Sequence, residues 1–165
     1  MAVTPAVRVL RAHAVAHTEH AYRYEEKGGT RVSSRELGVD EHQVIKTLVM
    51  QTDDRTPLVV LMHGDCSVST RALARQIGAR AVSPCDPAIA ERHSGYQVGG
   101  TSPFGLRTPM PIYIERSILA LPRLFINGGR RGFLVSLTPD DLARVLSPTP
   151  VDVAQPMRPS PDRHE

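Results

Sequence analysis

No stretch of the 165 residues approaches the roughly 18 consecutive apolar side chains that would span a bilayer. The N-terminal stretch, MAVTPAVRVLRAHAVAH, lacks the continuous apolar segment and cleavage motif of a secretory leader. Cysteine is scarce: Cys66 and Cys85 are too few for a disulfide framework and lack the spacing of a zinc site or redox pair. These absences predict a soluble, cytoplasmic protein with reduced thiols and no membrane partner. Excess charge is small, +3 with histidine neutral and a pI near 9.2, which permits a polyanionic partner without requiring one. The seven histidines form no H-E-x-x-H or comparable ligand spacing, so no metal is expected. Internal repeats are absent as well.

What is present is an ordinary globular composition, 41% apolar and 22% charged, in a length that suits one domain. Helix grammar recurs along it. Thr4-Pro5 reads as an N-cap and first helical position, opening a helix to about Ala14 with Val7, Leu10 and Ala14 on one face. Ser34 reads as the cap of a short helix ended by Gly38, Ser69 as the cap of TRALARQI ended by Gly78, and Asp86-Pro87 as the start of a helix stopped by Gly95. Thr138-Pro139 opens a last one. HTEHAYRY alternates like a strand, and QVIKTLVMQ and PLVVLMH, joined by the DDRT turn, read as a buried hairpin. MPIYIE, RLFIN and GFLVSL are further strand candidates, with NGGRRG as the turn between the last two. After Ser147 the chain becomes proline-rich and polar, which predicts a largely unstructured tail. Helical and β-rich runs do not alternate cleanly, so the expected class is α+β: a mixed or barrel-like sheet flanked by helices.

Three stretches stand out. In GYQVGGTSPFG, Gly95 to Gly105, four of eleven residues are glycine. It follows a helix, so it is neither a dinucleotide fingerprint nor a P-loop. It is either a mobile surface turn or an ordered row of amides, and Pro103, which biases Ser102 toward extended geometry, favours order. Lys46 sits within an apolar strand and either snorkels to an edge or serves a site. NGGRRG, Asn127 to Gly132, is either a plain turn with solvated arginines or a phosphate cradle in which arginine and glycine amides cooperate. HGDCS places His63 beside Cys66, but catalytic partners meet from distant positions, and neighbours in a turn do not form the needed hydrogen bonds.

Together, VIKTLVM, GYQVGGTSPFG and INGGRRG resemble the YbaK/EbsC family of freestanding aminoacyl-tRNA deacylases, related to the editing domain inserted in bacterial prolyl-tRNA synthetases. The resemblance runs from about Thr4 to Ala154. It implies a single editing domain over 1–154, followed by a polar tail at 155–165. It also implies a mixed β-barrel-like fold and a pocket for the 3′ aminoacyl-adenosine end of misacylated tRNA, with prolyl-tRNA synthetase as partner and no cofactor. Carried over by residue, Lys46 is expected to hold the phosphate or ribose of the terminal adenosine, with Thr47 beside it. Gly99, Gly100, Thr101, Ser102 and Pro103, with Tyr96, would line the aminoacyl ester, Tyr24 would wall the pocket, and Gly128, Gly129, Arg130 and Arg131 would complete it. Two positions depart from the family pattern: Asn127 replaces a small hydroxyl residue, and Leu134 stands where an aspartate is expected.

The implied reaction is removal of a wrong amino acid, above all cysteine, from tRNA specific for proline. In the mechanism the resemblance brings with it, the substrate's thiol attacks its own ester, leaves as a cyclic thiolactone and frees the tRNA, so that orientation and amide donors suffice. Water attack assisted by the ribose hydroxyl is the competing route. Leu134 and Asn127 leave open a different small amino acid, such as alanine, or a noncatalytic binding module.

Overall fold

The computed structural model describes residues 3–157. Among these the elements run α1 (Pro5–Ala12), β1 (Thr18–Ala21), α2 (Gly29–Leu37), β2 (Val44–Thr52), β3 (Pro57–His63), β4 (Cys66–Val68), α3 (Thr70–Ile77), β5 (Val82–Pro84), α4 (Pro87–Ser94), β6 (Ile112–Glu115), β7 (Leu124–Arg130), β8 (Phe133–Leu137), α5 (Pro139–Leu146), β9 (Thr149–Val151) and β10 (Ala154–Pro156). The class is α+β. A mixed sheet follows the order β1-β8-β7-β2-β3-β6-β9, with β5 also paired to β2, and β10 and β4 form a separate ribbon.

The helix signals work as capping chemistry requires. Thr4, Ser69 and Thr138 each accept a hydrogen bond from the amide three residues on, at 3.1, 3.2 and 3.2 Å. Gly78 and Gly95 close α3 and α4 in the left-handed region, at φ 77° and 80°. Two boundaries differ from the sequence reading. Ala14 lies beyond α1 at φ 51°, so the buried face is Ala6, Val7 and Leu10. Ser34 lies inside α2, where its hydroxyl donates to the Arg31 carbonyl rather than capping.

The β2–β3 hairpin is the centre of the molecule. β3 is buried on both faces, and its alternation divides the core. Val59 and Leu61 join Leu10, Phe104, Phe133 and Leu137 on one side, while Leu58, Val60 and Met62 join Leu73 and Val153 on the other. A central strand covered on both faces reads as an unbroken apolar run, which is why this hairpin was legible.

The tail is where the sequence reading fails. Thr149–Val151 pairs in parallel with β6, and Ala154–Pro156 pairs with Cys66–Val68. The anchor is Glu115, which is buried at 5% exposure. Its Oε1 accepts from the amides of Val153 and Ala154 at 2.8 and 3.0 Å, and its Oε2 accepts from the Ser117 amide at 3.0 Å, with the Ser117 hydroxyl 2.7 Å away. A buried carboxylate thus takes up the amides of Val153 and Ala154, where β9 passes to β10, and holds this proline-containing segment in place. Positions 158–165 of the expected tail lie outside the described residues.

Burial raises the Glu115 pKa, but the hydrogen bonds from Ser117, Val153 and Ala154 outweigh it and hold the carboxyl below its ordinary value. A depressed folded-state pKa contributes stability that is present above the unfolded value and is lost as pH falls through the folded one. Glu115→Gln should therefore cost about 2 kcal/mol at neutral pH, the order of losing charge-assisted hydrogen bonds. Urea unfolding would measure this, and the gap between variant and parent should narrow in acid.

Candidate active-site cleft

The β2 strand creates the site by losing its neighbours. Along one edge it pairs with β3 from Ile45 to Gln51. Along the other, β7 pairs with it only at Val44 and Ile45, and β5 only from Met50 to Thr52. Positions 46–49 thus face an opening between two diverging strands. The ladder's phase decides which backbone groups point there. Gly64 N–H donates to the Val44 carbonyl at 2.7 Å, and Thr52 N–H to that of Thr56 at 3.0 Å, so the even-numbered residues of β2 bond to β3. Odd-numbered residues turn the other way. Val49 is met by the Cys85 amide at 3.2 Å, which leaves the Thr47 N–H and C=O facing the opening. The Thr47 hydroxyl is buried and has no hydrogen-bond partner among the described residues.

A cleft of about 780 Å³ occupies this opening. Of the residues singled out in the sequence, Tyr24, Lys46, Thr47, Gly99, Thr101, Asn127 and Arg131 line it. Lys46, on the same face of β2 as Leu48 and Met50, donates to the Cys66 carbonyl at 2.5 Å. Lys27 and Arg131 add positive charge to the lining, and Leu134, Cys85 and Ala90 supply apolar surface.

Other residues of the two glycine stretches lie behind the lining and position it. Tyr96 is buried and donates to the Phe104 carbonyl at 2.6 Å. Ser102 and Pro103 are buried in the same turn, and the Ser102 hydroxyl accepts from the Phe104 amide. Gly100 already donates its amide to the Gln97 carbonyl at 2.8 Å, and Pro103 has no N–H to give. Among the described residues, the loop's candidate donors toward the cleft are therefore the Gly99 and Thr101 amides. Gly100 is glycine for a different reason: a Cβ there would stand 2.8 Å from the Arg131 nitrogen and 2.9 Å from the Arg130 carbonyl carbon.

NGGRRG is likewise not a simple turn. β7 continues through Arg130, with a register shift between Asn127 and Arg130. The Asn127 side-chain Oδ1 accepts from the Gly129 and Arg130 amides at 2.7 and 3.0 Å, and its Nδ2 donates to the Gly99 carbonyl at 3.2 Å. Arg131 donates to the Val98 carbonyl at 2.9 Å while lying over the Tyr24 ring at 5.0 Å. Gly128 packs under Phe133, and Arg130 lies over the same ring at 5.5 Å. Gly128, Gly129 and Arg130 are thus consumed in holding the bulge, which in turn holds the glycine loop. Asn127→Ala should loosen this junction: we expect about 1 kcal/mol of lost stability and faster hydrogen exchange at 98–101, read by mass spectrometry.

The cleft's carboxylate, Glu26, is exposed, and neither a histidine nor an aspartate lines the cleft among the described residues. Cys85 does, but burial and then Asp86 push its thiol pKa up, so it is not an activated nucleophile. Cys66 is pushed up to about 11 by burial and by Asp65. His63 is fully buried and packed away from the cleft, with burial lowering its pKa.

The aminoacyl-tRNA editing domain family matches residues 27–145. The chain belongs to that family. An editing-domain relative in Enterococcus faecalis, the candidate Cys-tRNA(Pro)/Cys-tRNA(Cys) deacylase EbsC, is 27% identical over 138 residues, 83% of this chain and 84% of that protein. A proline--tRNA ligase of Lactococcus lactis is 29% identical over 100 residues, 61% of this chain but 16% of the ligase. The editing-domain fold recurs in the crystal structure of the hypothetical protein APE2540, with a TM-score of 0.84 at 20% identity over 92% of this chain and all of that one. It recurs again in a candidate trans-editing enzyme for prolyl tRNA synthetase, with a TM-score of 0.78 at 20% identity over 93% and 99% of the two chains. Among the described residues, no helix of this editing domain is long and apolar enough to cross a membrane.

Proposed function

We propose that this editing domain is a freestanding deacylase of misacylated tRNA, and that the cleft between β7 and β5 receives the 3′ aminoacyl-adenosine. The observation that carries the reading is the open edge of β2. There Thr47 presents an N–H, a C=O and an unpartnered hydroxyl between the Lys46 ammonium on one side and the Gly99 and Thr101 amides on the other. Lys46, with Lys27 and Arg131 beyond it, supplies charge for the terminal phosphate. The loop amides supply dipoles for the oxyanion that develops at the ester carbonyl.

A cleft lined by no histidine or aspartate, in which the carboxylate Glu26 is exposed to solvent, favours a route in which the substrate brings its own nucleophile. With cysteine as the aminoacyl group, the thiol sulfur attacks the ester carbonyl, the acyl C–O bond to the ribose breaks, and the thiol proton passes to the departing ribose oxygen. The products are a thiolactone and free tRNA, and the protein contributes orientation. Prolyl-tRNA synthetase is the partner this substrate implies, since a proline site discriminates weakly against an amino acid of similar size. The cytoplasm, where tRNA is charged, is the corresponding location, and 1–154 the corresponding domain.

Leu134 supports a second reading of the amino acid. It is 4% exposed, pairs with Asn127 across β7 and β8, and lines the cleft with an apolar surface. That surface suits a small aliphatic group such as the alanine side chain, for which water or the ribose hydroxyl must attack. A deacylation panel on tRNA specific for proline, charged with cysteine, alanine, serine or 2-aminobutyrate, separates these. Release of cysteine but not serine supports thiol assistance, and release of alanine and 2-aminobutyrate supports the second reading. Tight binding with no release of any would make the protein a binding module instead.

A further inference from the structure

We propose that His42, Asp65 and Cys66 form a binding site for a thiophilic divalent cation of the zinc class, beside the editing cleft. Sequence spacing gives no hint of it, because His42 comes from the segment before β2, whereas Asp65 comes from the turn between β3 and β4 and Cys66 opens β4. Pairing of β2 with β3 brings the two segments together.

The three donor atoms lie within 4.8 Å of one another. Asp65 Oδ1 is their hub, 2.8 Å from His42 Nδ1 and 3.5 Å from Cys66 Sγ, and Oδ2 lies 3.1 Å from the same Nδ1. With zinc–nitrogen and zinc–oxygen bonds of about 2.0–2.2 Å and a zinc–sulfur bond of about 2.3 Å, a tetrahedron has donor-to-donor edges of roughly 3.3–3.7 Å. The sulfur–oxygen edge already has that length, and the nitrogen–oxygen edge reaches it by opening a few tenths of an ångström. A nitrogen, oxygen and sulfur set selects zinc-like ions over magnesium or calcium. The His42 and Asp65 side chains are 42% and 41% exposed, so water can complete the fourth position.

The surroundings hold the ligands as a metal site requires. The His42 ring stacks on the buried His63 ring at 3.7 Å and 6°, and His63 Nδ1 lies 2.6 Å from the His42 carbonyl oxygen. His63 is fixed in turn by Ser117 at 2.8 Å. On binding, the ion replaces the protons that now tie Nδ1 and Sγ to the carboxylate. The imidazole carries its proton on Nε2, and the thiol proton is released to solvent. Cys66 also links this site to the cleft, because its carbonyl accepts from Lys46 and the following residues of β4 line the cleft.

The test is titration of the untagged full-length protein with cobalt(II) as spectroscopic probe, followed by zinc competition. One equivalent should give the intense visible bands of a tetrahedral site and a thiolate-to-cobalt charge-transfer band, both removed by zinc. Cys66→Ser should abolish the charge-transfer band and weaken zinc binding by about 100-fold, His42→Gln should weaken zinc binding comparably, and Cys85→Ser should change neither. Zinc should also raise the Tm of the parent and not that of Cys66→Ser. A parent spectrum showing only weak six-coordinate cobalt, or a charge-transfer band that survives Cys66→Ser, would overturn the proposal. Deacylation is not part of this readout, so its outcome is independent of the editing assignment.

Discussion

Lys46→Ala is expected to lower kcat/KM for deacylation by about 100-fold or more while leaving the fold intact. The lysine is the cation that β2 itself carries into the cleft, with its ammonium held at the Cys66 carbonyl beside the open strand edge. In the proposed binding mode, losing it removes the charge that orients the terminal nucleotide, and misplacing a reacting ester by about 1 Å costs rates of this order. The side chain is only partly buried, so water can replace it at the Cys66 carbonyl and Tm should barely change. Lys46→Arg should recover binding more than turnover, because a planar guanidinium restores charge without the same reach. Single-turnover rates and thermal unfolding of the three proteins decide the matter, and undiminished deacylation by the alanine variant would remove Lys46 from the site.

The second large effect is on stability. Phe104, next to last in the glycine stretch, is fully buried beside Leu10, Phe133 and Leu137. Phe104→Ala should cost about 3–5 kcal/mol through lost burial and the cavity left behind. Because Tyr96 and Ser102 both bond to the Phe104 backbone, the cavity opens at the root of the loop whose Gly99 and Thr101 face the cleft. Activity measured well below the reduced Tm should therefore also fall, and Phe104→Leu should recover most of both. A loss of stability confined to 1 kcal/mol would mean that the loop is not anchored there.

These two residues show what the sequence makes legible. Lys46 was conspicuous because a charge interrupts an apolar strand, and the hairpin around it was conspicuous because β3 is buried on both faces. Caps at Thr4, Ser69 and Thr138 were readable because they are local chemistry. β4, β5 and β10 were not, being three residues each and defined by partners far along the chain. The tail after Ser147 looked unstructured because the carboxylate that accepts its amides, Glu115, lies nearly forty residues away.

The candidate site was legible in the same uneven way. Glycine enrichment marked the right loop without separating residues that face the cleft, Gly99 and Thr101, from those that brace it, Gly100, Ser102 and Pro103. Asn127 stood out as an exception to a pattern, but its work as a three-bond staple between bulge and loop emerges only in space. Thr47 shows its backbone to the cleft through ladder phase, which no composition records. The split between β7 and β5 that makes the cleft is a property of strand pairing, and it explains why Lys46 and Gly99, over fifty positions apart in sequence, line one cleft.

A crystal structure with a non-hydrolysable 3′-aminoacylamino-3′-deoxyadenosine is the decisive test of the proposed binding of the aminoacylated 3′ end at the open edge of β2. Density is expected in the cleft, with the adenosine near Lys46, the carbonyl oxygen within hydrogen-bond distance of the Gly99 or Thr101 amide, and the aminoacyl group between Thr47 and Leu134. A ligand bound outside the cleft, or inside it with its carbonyl turned away from that loop, would contradict it.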